Sequence, residues 1–204
     1  MNRPALLARH KAALLDAQRG FKEDDTDYER HIATALIDLN QRRPRHAWAS
    51  LTLEPKRRTY PCPSDLKHVY ACHYGRDEKQ QRDCWDPHYP IGRLPDVSVG
   101  WDADHCRFLN VHPIPSAMLL GVLGAQCDYE YTADHILTDE VCTLDEFEQG
   151  LLILRAQAEA MRELAMRNST QPVQLRDGLT QGAANGTPSH LYSVLLAEFE
   201  QKVK

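Results

Sequence analysis

Between residues 143 and 168 the chain reads TLDEFEQGLLILRAQAEAMRELAMRN, and Leu144, Phe147, Leu151, Leu154, Ala158, Met161 and Ala165 recur in it at spacings of three and four. That is the period of an α-helix with one apolar stripe, so the spacing predicts a helix over 143–168 that must be covered along its whole length. The cover has to come from other helices, from a sheet or from a second subunit. Thr143 and Glu146 stand at capping-box spacing, which would start the helix there. The small residues of AQAEA allow a partner backbone to come close.

Two shorter helices precede it. Leu6, Leu7, His10 and Leu14 share a face of a helix over 2–18. A second helix, over 26–43, opens on TDYE, where Thr26 and Glu29 again have capping-box spacing. Tyr28, Ile32, Ala35, Leu36 and Leu39 form its stripe, and Pro44 ends it by forcing Arg43 out of the α region. From 46 to 138 the pattern turns to short, proline-broken strands: AWASLTL, LKHVYACHY, HCRFLNVHPI and QCDYEYTADHIL. In the first of these Trp48 is expected to share a sheet face with Leu51 and Leu53 across a bulge. The fold class is therefore α+β: an N-terminal helical pair, a small antiparallel β section, a long central helix and a C-terminal helix on an extended loop. Residues 1–168 read as one domain. Residues 169–186 read as a flexible polar loop leading to a docking helix that starts at Thr187, with Pro188 in its first turn and Leu191, Leu195 and Phe199 along its edge.

The stretch VYACHYGRDEKQQRDCWDPHYP (69–90) concentrates soft ligands. Cys62, Cys72, His73, Cys84 and His88 are the zinc candidates, at spacings C-x9-C, C-x11-C and C-x3-H. Structural zinc takes closely paired ligands from tight turns, which this spacing lacks, so packed, unliganded thiols in a hairpin of 66–74 with 83–89 are the preferred reading. That hairpin would set Cys72 opposite Cys84. The neighbours Cys72–His73 and His105–Cys106 point to opposite faces of a strand, so neither pair forms its own nucleophile–base bond. Asp102, Asp104 and His105 suit ordinary turn chemistry, and Asp134 and His135 stand at a strand end. Neither a phosphate-binding nor a dinucleotide-binding glycine pattern is present. The alternative to a structural role is a small zinc module or metallohydrolase built on the 62–88 cluster.

Net charge is −5, with the positive side chains concentrated in residues 1–60 and the acidic excess in 61–204. An acidic balance argues against tight phosphate-backbone binding. The charged start MNRPALLARHK is no signal peptide, and the longest apolar run, AMLLGVLGA, is far short of the roughly 20 residues that cross a bilayer. That run belongs to PIPSAMLLGVLGA (113–125), which is apolar where a strand connection should be polar. It either packs on the core or forms a contact patch of Met118, Leu119, Leu120, Val122 and Leu123.

The order of parts resembles the head–tail connector (adaptor, or neck) proteins of tailed bacteriophages. The segments that carry the likeness are DYERHIATALIDLNQRRPR, YEYTADHIL, LLILRAQAEAMRELA and SHLYSVLLAEFEQKV. The resemblance implies a non-enzymatic virion protein without cofactor, made in the host cytoplasm. It implies a ring of about a dozen copies that joins the portal to a downstream tail or neck protein and continues the DNA channel without gripping DNA. Under it, the 118–123 patch and Leu191, Tyr192, Leu195 and Phe199 are the subunit and portal contacts. Asp128, Glu130, Asp134, Asp139 and Glu140 are the residues expected to line the channel.

Overall fold

The structure is a computed structural model that describes residues 1–22, 24–167 and 187–204. The expected loop 169–186 lies outside the described residues. In chain order the elements are α1 (Arg3–Leu14), a 3-10 turn (Leu15–Gly20), α2 (Thr26–Arg42), β1 (Arg45–Thr52), β2 (Thr59–Pro61), β3 (Leu66–Cys72), α3 (Arg76–Gln81), β4 (Asp96–Trp101), β5 (Arg107–His112), α4 (Ala117–Leu123), β6 (Gln126–Ala133), α5 (Glu146–Arg167) and α6 (Pro188–Lys202). The protein is α+β, as its periodicities predict. It divides into two compact units, residues 1–43 with 135–204 and residues 44–134. Both boundaries fall inside the span that the sequence pattern assigns to one domain.

In the helical unit α5 is the hub, packed by α1, α2 and α6. Leu151, Leu152, Ile153 and Ala156 share a core with Leu6, Ile32, Ala35, Leu39 and Phe199. Leu14, Phe21, Tyr28, Ala160 and Met161 form a second cluster. The predicted stripe is buried at Leu144, Leu151, Ala158 and Met161. Burial extends beyond it to Leu152, Ala156 and Ala160, because three helices and not one cover α5. The small side chains of AQAEA permit that crowding.

Both expected capping boxes are corrected. At α5 the reciprocal pair is Asp145 and Glu148: the Glu148 amide donates to Asp145 Oδ1 at 2.6 Å, and the Asp145 amide donates to Glu148 Oε2 at 2.9 Å. Thr143 instead accepts from the Ile136 amide through its hydroxyl, at 2.9 Å. At α2 the N-cap is Asp25, in a left-handed conformation, and Glu29 is drawn off to Arg3 at 3.3 Å. The α6 start is as expected, with the Thr187 hydroxyl accepting from the His190 amide and Pro188 in the first turn.

The other unit holds two three-stranded antiparallel sheets, ordered β1-β6-β3 and β2-β5-β4. Their inner faces meet in one core that includes Leu53, Tyr60, Leu66, Val97, Leu109, Val111, Cys127, Tyr129 and Tyr131. Strict alternation along β6 sends Cys127, Tyr129 and Tyr131 inward and Asp128 and Glu130 to the other face. In β1 the inward set is Ala47, Ala49 and Leu51, so Trp48 is on the outer face, opposite Glu130, and no bulge interrupts the β1–β6 register. This corrects the expected sharing of a face by Trp48, Leu51 and Leu53. The expected hairpin is also absent: β3 pairs with β6, and RDEKQQ coils into α3. A run of six charged or amide side chains without β-branching suits a helix better than a strand edge.

Gly75 caps α3 with φ of +65°, and a Cβ there would stand 2.5 Å from Leu123 Cδ1 and 3.1 Å from Leu94 Cδ2. Gly75→Ala therefore combines left-handed strain with a clash. It is expected to lower stability by about 1–2 kcal/mol, measured by urea unfolding, whereas Gly121→Ala, in open space on α4, should not.

Candidate interaction surfaces and a buried thiol pair

The 62–88 ligand set does not converge. Cys72 is buried and its Sγ lies 3.6 Å from Cys127 Sγ, on the neighbouring strand β6, and 3.6 Å from the Pro95 carbonyl oxygen. Cys62 is half-buried and directs its thiol at the Pro63 carbonyl. Cys84 and His88 are exposed in the turns after α3. Among the described residues no three His, Cys, Asp or Glu side chains gather closely enough to hold a metal ion. Bonding between the two thiols, together with burial, pushes the Cys127 thiol up, and the same bond holds the Cys72 thiol below its ordinary range against its own burial. Sequence reasoning missed Cys127 because its partner is a cross-strand neighbour 55 positions away.

The apolar segment 113–125 resolves into α4, capped by the Ser116 hydroxyl, which accepts from the Leu119 amide at 3.1 Å. Leu119, Leu120 and Leu123 pack against the sheet core. Met118 faces outward, 74 % exposed, and Val122 borders a small cleft with Tyr89, Pro90 and Ile91. The segment is therefore a helix that rests one side, partly buried, on the core and leaves Ser116, Ala117, Met118 and Gly121 exposed. Of the C-terminal contact residues, Phe199 is 0 % exposed, inside the helical core. Tyr192 and Leu195 pack against the second cluster, and Leu191 remains exposed.

The acidic run is split between the units. Asp128 and Glu130 stand on the outer face of β6, where Ser50 donates to Asp128 Oδ1 at 2.6 Å and His46 Nδ1 meets Glu130 Oε1 at 2.7 Å. The bonds from Ser50 and Gln126 hold the Asp128 carboxyl below its ordinary range. Asp134 pairs with Lys67. Asp139 and Glu140 are exposed in the turn before α5. On the same outer sheet face Trp48, 63 % exposed, stacks on His73 with centroids 4.6 Å apart, and Tyr70, 68 % exposed, meets His46 edge-on. Asp102 does turn work, accepting from the Asp104 and Cys106 amides. His135 is buried in the helical unit, its amide bonded to Asn40 Oδ1 and its Nε2 3.0 Å from the Arg43 carbonyl.

The helical unit also holds a buried polar chain that the sequence reading does not single out as a site. His10 Nε2 lies 3.5 Å from His31 Nδ1, and His31 Nε2 lies 2.7 Å from Glu163 Oε2. Arg30 bridges Glu163 and Asp27 at 2.6 and 2.8 Å, and Arg167 reaches Asp27 at 3.0 Å. Burial would raise the Asp27 carboxyl, but the Lys22 amide and the Arg167 and Arg30 guanidinia more than offset it and hold it well below the usual range. The one sequence signal is that Asp27 and His31 are four apart on α2. All six groups tie helix to helix within one unit, which is a scaffold's arrangement.

An open groove of about 470 Å³ runs along α5, lined by Phe147, Leu151, Ile153 and Leu154, with Arg9, Glu146 and Lys202 at its rim. Phe147 is half exposed there. No helix among the described residues is long and apolar enough to cross a membrane. No protein-family model and no curated protein matches the chain, so the functional reading rests on these residues and their geometry.

Proposed function

We propose that this chain is a non-enzymatic structural subunit of a phage neck: a head–tail connector that forms a ring of about a dozen copies, contacts the portal and a downstream tail or neck protein, and continues the DNA channel. One observation carries the reading. The α5 stripe must be covered, and the chain's own helices cover Leu144, Leu151, Ala158 and Met161 while Phe147 stays half exposed and Leu154 partly exposed beside an open groove. A neighbouring copy is the natural cover for a patch of this kind. A further support is that two sequence-distant segments behind the resemblance, DYERHIATALIDLNQRRPR as far as Arg43 and LLILRAQAEAMRELA, fold against each other in one unit. In this reading Asp128 and Glu130 face the channel, and carboxylates repel a DNA backbone that has to slide past.

Native mass measurement of the purified chain across a concentration series tests the reading, together with Phe147→Glu. The expected result is a concentration-dependent oligomer that Phe147→Glu breaks into monomers, with the far-ultraviolet spectrum unchanged. A wild-type chain that stays monomeric at high micromolar concentration, and that neck-containing virions lack, would overturn it.

A further inference from the structure

We infer that Cys72 and Cys127 form a disulfide under oxidising conditions, locking edge strand β3 to the middle strand β6. The two sulfurs are already in contact at 3.6 Å, and both residues are buried on the core face of one sheet. Joining them needs a closure of about 1.5 Å, from contact to a bond of about 2.05 Å. Of the other cysteines, Cys84 and Cys106 are exposed and Cys62 and Cys142 half-buried, and none of these four is bonded to another thiol among the described hydrogen bonds. The pair is thus selected by position and not by accessibility.

Access comes from the strand itself. β3 lies at the edge of its sheet, and its register with β6 shifts between Leu66 and His68 and again between Val69 and Ala71. An edge strand with an interrupted ladder opens locally at lower cost than a central one. The Cys72 thiolate then attacks a low-molecular-weight disulfide, forming a mixed disulfide and releasing one thiol. The Cys127 thiolate attacks the Cys72 sulfur of that adduct and releases the second thiol. Two protein thiols are oxidised and one small disulfide is reduced to two thiols. A reducing cytoplasm keeps the pair open, and an oxidising exterior closes it.

The test uses the full chain carrying Cys84→Ser and Cys106→Ser, incubated folded with oxidised glutathione, and alkylated after unfolding. The expected result is an intact mass lower by two hydrogens before alkylation, two fewer alkyl groups than the reduced control after it, and a linked peptide pair containing Cys72 and Cys127. The link spans 55 positions of chain, so the thermal midpoint should rise by on the order of 10 °C, reversibly with dithiothreitol. Cys127→Ser in the same background should show no rise and retain a glutathione adduct on Cys72. Recovery of both Cys72 and Cys127 in alkylated form, or linkage of either to Cys62 instead, would overturn the inference.

Discussion

Phe199→Ala is expected to lower the stability of the helical unit by about 3–5 kcal/mol, a large part of what holds a domain of this size. Phe199 is wholly buried among Leu6, Ile32, Leu39 and Leu152, so its truncation leaves a cavity bordered by three other helices. The Arg42 guanidinium lies 5.8 Å from the ring centroid and pairs with Glu200 at 3.1 Å, so the ring also anchors a surface ion pair. Val194→Ala is the control: Val194 is exposed on the same helix, and its truncation should change stability by no more than about 0.5 kcal/mol. Urea unfolding followed by circular dichroism reads both. Equal midpoints for Phe199→Ala and wild type would mean that α6 is not seated on α5 in solution and would return it to the role of a free docking segment.

That contrast marks where the sequence was legible and where it was not. The α5 stripe, the α2 stripe and the α6 start were readable because helical periodicity and a Thr-Pro start are local signals. The partner of a stripe is not local. An amphipathic helix after a polar stretch looks the same whether it docks on its own chain or on another, and so Phe199 read as a contact residue. The capping boxes at α2 and α5 failed for a related reason: Thr143 and Glu29 have suitable chemistry, but tertiary partners, the Ile136 backbone and Arg3, took them. Among the strands, β1, β3, β5 and β6 were readable, while TYP and DVSVGW were too short or too glycine-bearing to stand out. Cys127 shows the limit most plainly. Its spacing to Cys72 carries no motif, and only β-sheet register brings the two sulfurs together.

Acid should destabilise the protein through the His10–His31 pair before its carboxylates titrate. The bonding order fixes the tautomers. His31 Nε2–H donates to Glu163, which leaves Nδ1 to accept from His10 Nε2–H. His10 Nδ1 is then a bare acceptor, buried without a hydrogen-bond partner, so protonating it would bury an unsatisfied N–H. Burial, and the neighbouring His31, lower the His10 pKa from 6.5 to about 4. Burial lowers His31 as well, against the pull of Glu163. Phe21 and Tyr28 close the remaining sides of the pair with aromatic edges. The unfolded chain thus binds protons near pH 6.5 that the folded one refuses until about pH 4, and stability falls as pH drops through that window. For His10 the loss between pH 7 and pH 4.5 is about 2–3 kcal/mol. Glu163 and Asp27, both held below their ordinary values, lose their contribution only at lower pH. His10→Leu removes the His10 titration and keeps an apolar side chain against Tyr28. Urea midpoints at pH 7, 5.5 and 4.5 should therefore fall less for that variant, which keeps only the His31 part of the loss, than for wild type; parallel decline of the two would show that His10 is not what acid attacks.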